Sequence, residues 1–285
     1  MLPCRNLIKD LRRAAVAGTW YPADPDALAR EVDGYLAAAD EPPVGDPLAI
    51  IAPHAGLLYS GPIAAHAYNM LRGRDFEVAI LVGPSHYVGF EGVAVYERGA
   101  FETPFGKVPI AEDLASAIAA GSPLIKSHQT AHVREHSLEM QLPFLKRVLP
   151  EIAIVPLVMG HQLRETAEAL GDAIAAAVKG RQAVLIASTD LSHYQSATVA
   201  AKLDKMVIHQ VQRFDANGLM SLLEGFPQHA CGGGPTVSVM KAARQLGARD
   251  ARVLRYGDSG DVSGDKDAVV GYLAAAFGTF VAQAV

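Results

Sequence analysis

Four short apolar runs in this chain each stop within a few residues of a histidine. Leu48 to Ala52 leads into Pro53-His54, and Val78 to Val82 into Gly-Pro-Ser-His86. Ile152 to Val158 leads into Met-Gly-His161, and Ala183 to Ala187 into Ser-Thr-Asp190-Leu-Ser-His193. Runs this short, rich in Ile, Leu and Val and bounded by Pro or Gly, read as strands buried on both faces. From the third run to the fourth the order is strictly β–α–β, which argues for parallel pairing with right-handed crossovers. The expected fold is an α/β sandwich with a largely parallel or mixed central sheet. In such sheets the ligand crevice lies at the carboxyl ends of the strands. The chain has only 10 His in 285 residues, so four strand ends marked by His are not a scatter. Converging strand ends would bring several imidazoles to one rim, which is what a metal site needs.

A chain of this length fits one large α/β domain or two small ones. No repeat, low-complexity tract or clear boundary divides it, so a single domain over 1–285 is expected, with 1–14 as an N-terminal extension. Half the residues are hydrophobic, enough for a sizeable core. The balance of 25 basic against 30 acidic residues, with no Lys/Arg run, argues against a nucleic-acid partner. Arg5, Lys9, Arg12 and Arg13 are followed by no apolar stretch of the signal-peptide kind. Residues 268–285 carry no charge and approach the roughly 20 residues of a spanning helix. Gly271, Gly278, Gln283 and several alanines weaken that reading, and a buried last strand over about 269–275 is expected, with no membrane contact. Two cysteines, Cys4 and Cys231, cannot make a disulfide framework, which points to a reducing cytoplasm.

Along the chain, Asp24 is placed to cap a helix with Pro25 at its first position. Ser60-Gly-Pro62 reads as the start of a second helix, on which His66 is expected to be structural. Around Gly92 to Tyr96 the period changes to two, and with 101–110 this suggests a hairpin or meander beside the main sheet. Residues 121–136 read mostly as loop. Ser137 to Leu149 is helical in pattern, with Pro143 expected to break or kink it. Later helices are expected at about 164–178, 196–213, 216–224 and 235–246, with a strand at about 251–256.

His54, His86 and His193 sit in turns containing Pro, Gly or Ser. Each alone can cap its own turn; the three together, with Cys231 in a Gly-rich turn, point to a shared site. Asp190 lies three residues before His193 and can either orient its imidazole or cap the following helix. Cys231 precedes Gly232-Gly-Gly-Pro235, where the sequence predicts a helix start. Amides at a helix start favour an anion, so the thiol is expected to ionise below its usual ~8.5, suiting a ligand or a nucleophile. Gly232 and Gly233 can also frame a pocket for an anionic group. His132-Val-Arg-Glu135-His136 matches the inverted zinc-peptidase signature, but it lies at a loop-to-helix junction where that signature needs an unbroken helix. His136 and Glu139 remain candidates for the crevice wall, as do His161 and Tyr59.

Several longer stretches carry a resemblance. Ala17-Gly-Thr-Trp-Tyr-Pro, Ala52-Pro-His-Ala-Gly-Leu-Leu-Tyr-Ser-Gly, Gly83-Pro-Ser-His, Glu135-His-Ser-Leu-Glu-Met-Gln-Leu-Pro, Ser188-Thr-Asp-Leu-Ser-His-Tyr and Cys231-Gly-Gly-Gly-Pro occur in order between about residues 15 and 278. Together they resemble the Memo family, often named AmmeMemoRadiSam system protein B in prokaryotes. That family is similar in fold to the class III extradiol dioxygenases of the LigB type. The resemblance implies a LigB-like fold with the site at one end of the sheet. It implies metal ligands at His54, His86 and Cys231, and an acid/base His at His193. It also implies AMMECR1-type and radical-SAM partner proteins. The dioxygenases hold Fe(II) with two His and a carboxylate. Cys231 stands at the carboxylate position, so ring cleavage itself does not carry over.

Three functions follow from these residues. The first is a metal-dependent redox enzyme, with His193 moving a proton. The second is a binding or signalling protein that holds a metal, a peptide or a partner in the crevice without turnover. The third is a hydrolase using metal-bound water. The first leads, and it puts copper or iron ahead of zinc, which cannot cycle electrons. No nucleotide cofactor is expected; the crevice would take an unknown small molecule or peptide, and the protein is expected to form a homo-oligomer.

Overall fold

The computed structural model describes residues 10–281. Cys4 and the first part of the expected N-terminal extension lie outside the described residues. The rest of that extension is part of the fold. Leu11–Arg12 forms β1, and Arg12 is buried. The α1 helix (Pro25–Ala38) starts as expected: Asp24 accepts a hydrogen bond from the Ala27 N–H at 2.8 Å. Pro25 occupies the first turn, where its missing N–H has no partner to lose.

The apolar runs are strands, joined by helices. They are β2 (Gly45–Ala52), α2 (Leu57–Asn69), β3 (Val78–Pro84), β4 (Val93–Val95), β5 (Ala100–Thr103) and β6 (Gly106–Pro109). Next come α3 (Glu112–Ala120), β7 (Ile125–Ser127), α4 (Thr130–Val133), α5 (Leu142–Val148), β8 (Ala153–Met159), α6 (Arg164–Val178) and β9 (Ala183–Ser188). The chain closes with β10 (His193–Gln195), α7 (Ala197–Gln212), α8 (Ala216–Gly225), α9 (Gly233–Gln245), β11 (Asp250–Asp258), α10 (Gly260–Ser263) and β12 (Val269–Phe280).

The main sheet has the order β10-β12-β2-β9-β3-β8-β4-β7, with β11 also paired to β12. Its centre, β2-β9-β3-β8, is wholly parallel. Antiparallel β12 and β4 border that centre, so the sheet is mixed. Residues 49–52, 78–84 and 183–188 are buried throughout, which explains why they read as continuous apolar runs. Helices flank the sheet: α2 and α9 pack on its strands, α1 and α5 against α2, and α6 and α8 against α9. Because β2, β3, β8 and β9 run the same way, His54, His86, His161 and the 189–193 turn all leave the sheet at one end.

Local expectations needed revision where Pro or tertiary pairing decided the outcome. The segment 92–110 does not form one meander. Val93–Val95 pairs antiparallel with β8, while β5 and β6 form a hairpin that joins β1 in a separate sheet. Residues 121–136 contain β7 and α4 rather than loop alone. Pro143 does not kink a helix; it sits in the first turn of α5, which begins at Leu142. The α2 helix begins at Leu57, before Ser60, and carries Pro62 inside it. Gly61 lets α1 and α2 approach: a Cβ there would stand 2.7 Å from the Tyr35 ring. The uncharged C-terminal stretch is β12, longer than expected and paired with β2, β10 and β11. Among the described residues no helix is long and apolar enough to cross a membrane.

Candidate metal centre

His54 follows β2, and its placement is over-determined. Its backbone N–H donates to Asp190 Oδ1 at 2.7 Å, and its Nδ1 lies 2.8 Å from Ser188 Oγ. That hydroxyl already donates to the Ser137 carbonyl at 2.7 Å and accepts from Gln141 Nε2 at 2.8 Å. Its remaining capacity is as an acceptor, so His54 carries its proton on Nδ1 and presents a bare Nε2. Gln141 is itself locked, donating also to the Pro53 carbonyl and accepting from Tyr68 Oη at 2.7 Å.

His86 is fixed by the same logic. Its backbone N–H and its Nδ1 both meet the Glu135 carboxylate, at 2.6 and 2.9 Å. Burial alone would raise the Glu135 carboxyl. The His86 ring and the backbone N–H groups of His86 and Ser137 outweigh it and bring the group down to about 2. An ionised carboxylate accepts, so His86 too keeps its proton on Nδ1 and offers Nε2. Imidazoles whose second nitrogen is tied to a carboxylate or hydroxyl are the usual metal ligands.

His136 is the third imidazole. The rings of His54, His86 and His136 have centroids 5.2, 5.6 and 4.4 Å apart, and one donor atom from each lies within 4.8 Å of the others. Burial, then the neighbouring imidazoles His54 and His86, lowers His136 to about 4, and burial holds His54 well below its ordinary value. His54 and His136 are therefore neutral at pH 7, each with a lone pair free.

Cys231 approaches His54 from the turn before α9. Its Sγ lies 3.2 Å from His54 Nε2 and 3.2 Å from the Asp190 N–H. Two donors to one ion at about 2.0 and 2.3 Å stand roughly 3.5 Å apart in tetrahedral geometry, so this separation fits a shared metal. The expected low thiol pKa is not found. Burial of the sulfur pushes it up, with the Asp190 carboxyl second, and the helix start does not offset them.

His193 lies at the same end of the sheet. Its Nδ1 meets the Leu191 carbonyl at 2.8 Å, which again places the proton on Nδ1 and leaves Nε2 as the base. Asp190 is not its orienter and caps no helix; its carboxylate holds the His54 amide, and Ser196 stands at the start of α7. Glu139 does not face the crevice. It is fully buried, pairs with Arg12, and accepts from the Ala15 and Val16 N–H groups and from Tyr21 Oη. The peptidase signature does not assemble: α4 ends at Val133, and His132 is turned to the Ala94 carbonyl.

The glycines serve packing more than anion binding. The Gly232 N–H is taken by Thr189 Oγ1 and the Gly234 N–H by Gln162 Oε1. A Cβ at Gly232 would lie 2.3 Å from the Ser188 carbonyl oxygen, and one at Gly233 would lie 2.3 Å from Leu223. Gly233 does border a cavity of about 400 Å³ with His161, Gln162, Leu163, Leu223 and Cys231. Tyr59 stays exposed in the first turn of α2. Sequence reasoning missed Ser188 and Gln141 and gave Glu135 only a peptidase role, although each lies in one of the motifs quoted above.

The Memo-like protein family profile matches residues 12–276. A MEMO1 family protein of Methanothermobacter thermautotrophicus is 40% identical, over 92% of this chain and 98% of its own length. Others from Methanopyrus kandleri and Saccharolobus solfataricus are 38% and 37% identical, over 93% and 94% of this chain and 98% and 99% of their own. The crystal structure of an uncharacterized protein, JW3007 of Escherichia coli K12, superposes with a TM-score of 0.53 at 14% identity, covering 79% of this chain and 98% of that one. That likeness shows a shared fold. With the profile spanning nearly the whole described chain, the protein belongs to the Memo family.

Proposed function

We propose that the protein is a metal-dependent redox enzyme that holds a copper or iron ion on His54 Nε2, His86 Nε2 and Cys231 Sγ. The observation that carries this reading is the fixed tautomer of both histidines: Ser188 and Glu135 occupy Nδ1 and leave Nε2 free, that of His54 beside the thiol. The residues fit such a group. Two imidazoles and a soft sulfur suit copper, or an iron tuned by thiolate, better than magnesium or calcium. When bound, the ion supplies the electron transfer.

The chain's own residues supply the rest. The cavity beside Cys231 is large enough for a small molecule, and His161 and Gln162 offer it polar contacts. His193, with its proton held on Nδ1 by the Leu191 carbonyl, accepts the substrate's proton at Nε2. Buried apolar walls and the interlocked Ser188–Gln141–Tyr68 hydrogen bonds keep the ligand atoms in place. A reducing cytoplasm would keep Cys231 available as a ligand.

Loading the protein with copper(I) or iron(II) without air, then admitting oxygen and small reductants, tests the reading. The ion is expected to cycle between oxidation states. His193→Ala should keep the metal and slow turnover by about 10²–10⁴-fold. An ion that never changes oxidation state, with wild type and variant alike, would rule the redox reading out.

A further inference from the structure

His136 lies against the proposed ion site but has no role in the ligand set just described. Its ring is buried and packed by aromatic groups, with the Trp20 centroid at 4.3 Å and the Tyr87 centroid at 5.8 Å. A buried imidazole with a purely structural role normally satisfies its nitrogens. His132, four residues earlier, engages at least one nitrogen, hydrogen-bonding the Ala94 carbonyl through Nε2, although its Nδ1 is likewise enclosed without a partner. Among the described residues neither ring nitrogen of His136 makes a hydrogen bond. Nδ1 is enclosed without a partner, and Glu135 Oε1 stands 3.6 Å away while serving His86 and Ser137 instead.

The position of the ring suggests what it serves. Three imidazoles on one ion, each with a metal–nitrogen bond of about 2.0 Å, have ring centroids roughly 5 Å apart. The separations of 5.2, 5.6 and 4.4 Å among His54, His86 and His136 match that triangle. Cys231 approaches the same His54 Nε2 that the triangle shares. We propose that His136 is a further metal ligand, so that the site contains two overlapping triads sharing His54 and His86. One triad is completed by the Cys231 sulfur and the other by the His136 ring. This rests on the metal-binding reading above.

The two triads have different chemistry. The sulfur-completed set favours copper(I), while the all-imidazole set favours borderline divalent ions such as copper(II), nickel(II) or zinc. One site can therefore hold the ion in either oxidation state by changing its third partner. Four protein ligands together would close the shell, so one of the two must release the ion for a substrate to reach it.

The test uses cobalt(II) alone for affinity and copper(II) for a ligand count. Cys231→Ala is expected to retain one cobalt ion, weakened, with its sulfur charge-transfer band gone. Adding His136→Phe, which keeps a ring between Trp20 and Tyr87, should weaken binding further by more than the ~10–100-fold cost of losing a ligand's hydrogen-bond partner. Pulsed electron paramagnetic resonance of copper(II) in Cys231→Ala should count three imidazoles. That count needs only the single variant, so it decides the matter even if the double variant fails to fold. Two imidazoles in Cys231→Ala would exclude His136 and leave the His54/His86 site standing. So would cobalt affinity unchanged on adding His136→Phe. Cobalt binding that survives in His54→Ala/His86→Ala would overturn both readings.

Discussion

Two glutamates four residues apart, Glu135 and Glu139, head two buried polar clusters of opposite character. Glu139 is saturated. Arg12, the Ala15 and Val16 amides and the Tyr21 hydroxyl surround its carboxylate, and the same Arg12 donates to the His132 and Glu135 carbonyls. Nothing in that cluster is left for a ligand, and its effect is to clamp residues 11–21 to the core. Glu135 also binds what lies around it, but its partner His86 keeps a free Nε2, and His54 and His136 beside it add more unpaired nitrogens. A buried polar cluster that closes on itself holds structure. One that ends in aimed, unprotonated lone pairs is built to receive something.

Three changes separate the clusters, in falling order of effect. Glu139→Ala leaves Arg12 charged and unpaired in the interior and should cost about 3–5 kcal/mol of stability, the usual range for breaking a buried ion pair. Denaturant unfolding measures that loss, while metal affinity of the folded fraction should move by less than about tenfold. Affinity that collapses at full stability would place Glu139 in the site after all.

The second concerns pH and the clamp's neighbour, His132. Burial, and after it the Arg12 charge, lowers its pKa from 6.5 to about 3 against the pull of the Ala94 hydrogen bond. The folded state keeps this ring neutral, so below about pH 6.5 the unfolded chain takes up the proton first. Stability from this group is complete above pH 6.5 and is lost as pH falls towards about 3, on the order of a few kcal/mol in all. Unfolding of metal-free protein across this range should show a shallower decline in His132→Gln. Parallel curves for the two proteins would mean that His132 is not held neutral.

The third is the gentlest. Glu135→Gln keeps the shape but removes the charge that fixes the His86 tautomer, and metal affinity should fall by about 10–100-fold, or about 1.4–2.7 kcal/mol. Competition against a chelator reads this directly. An unchanged constant would reduce Glu135 to a packing residue.

The contrast also shows what a sequence displays. Buried parallel strands have to be apolar on both faces, so β2, β3, β8 and β9 stood out, and with them His54, His86, His161 and the turn carrying Asp190 and His193. The long motifs made the family legible too. Arg12 did not stand out, because its partner lies 127 residues away and a lone Arg in a basic stretch carries no pattern. His136 was visible as a candidate for the crevice wall, beside a misleading peptidase signature, but not as a ligand; its convergence with His86 depends on the bend between α4 and α5. The Cys231 thiol was misjudged because a Gly-rich helix start signals an anion site. Tertiary burial, which no local pattern reports, opposed that effect and prevailed.

The most direct test of the central claim is the metal content of wild type and of His86→Ala, purified in parallel without added metal and analysed element by element. The account predicts close to one equivalent of copper or iron in the wild type and less than about a tenth of that in the variant, whose fold should survive because His86 is partly exposed. Equal contents in the two proteins, or none in either even after loading with copper(I) and iron(II), would contradict it.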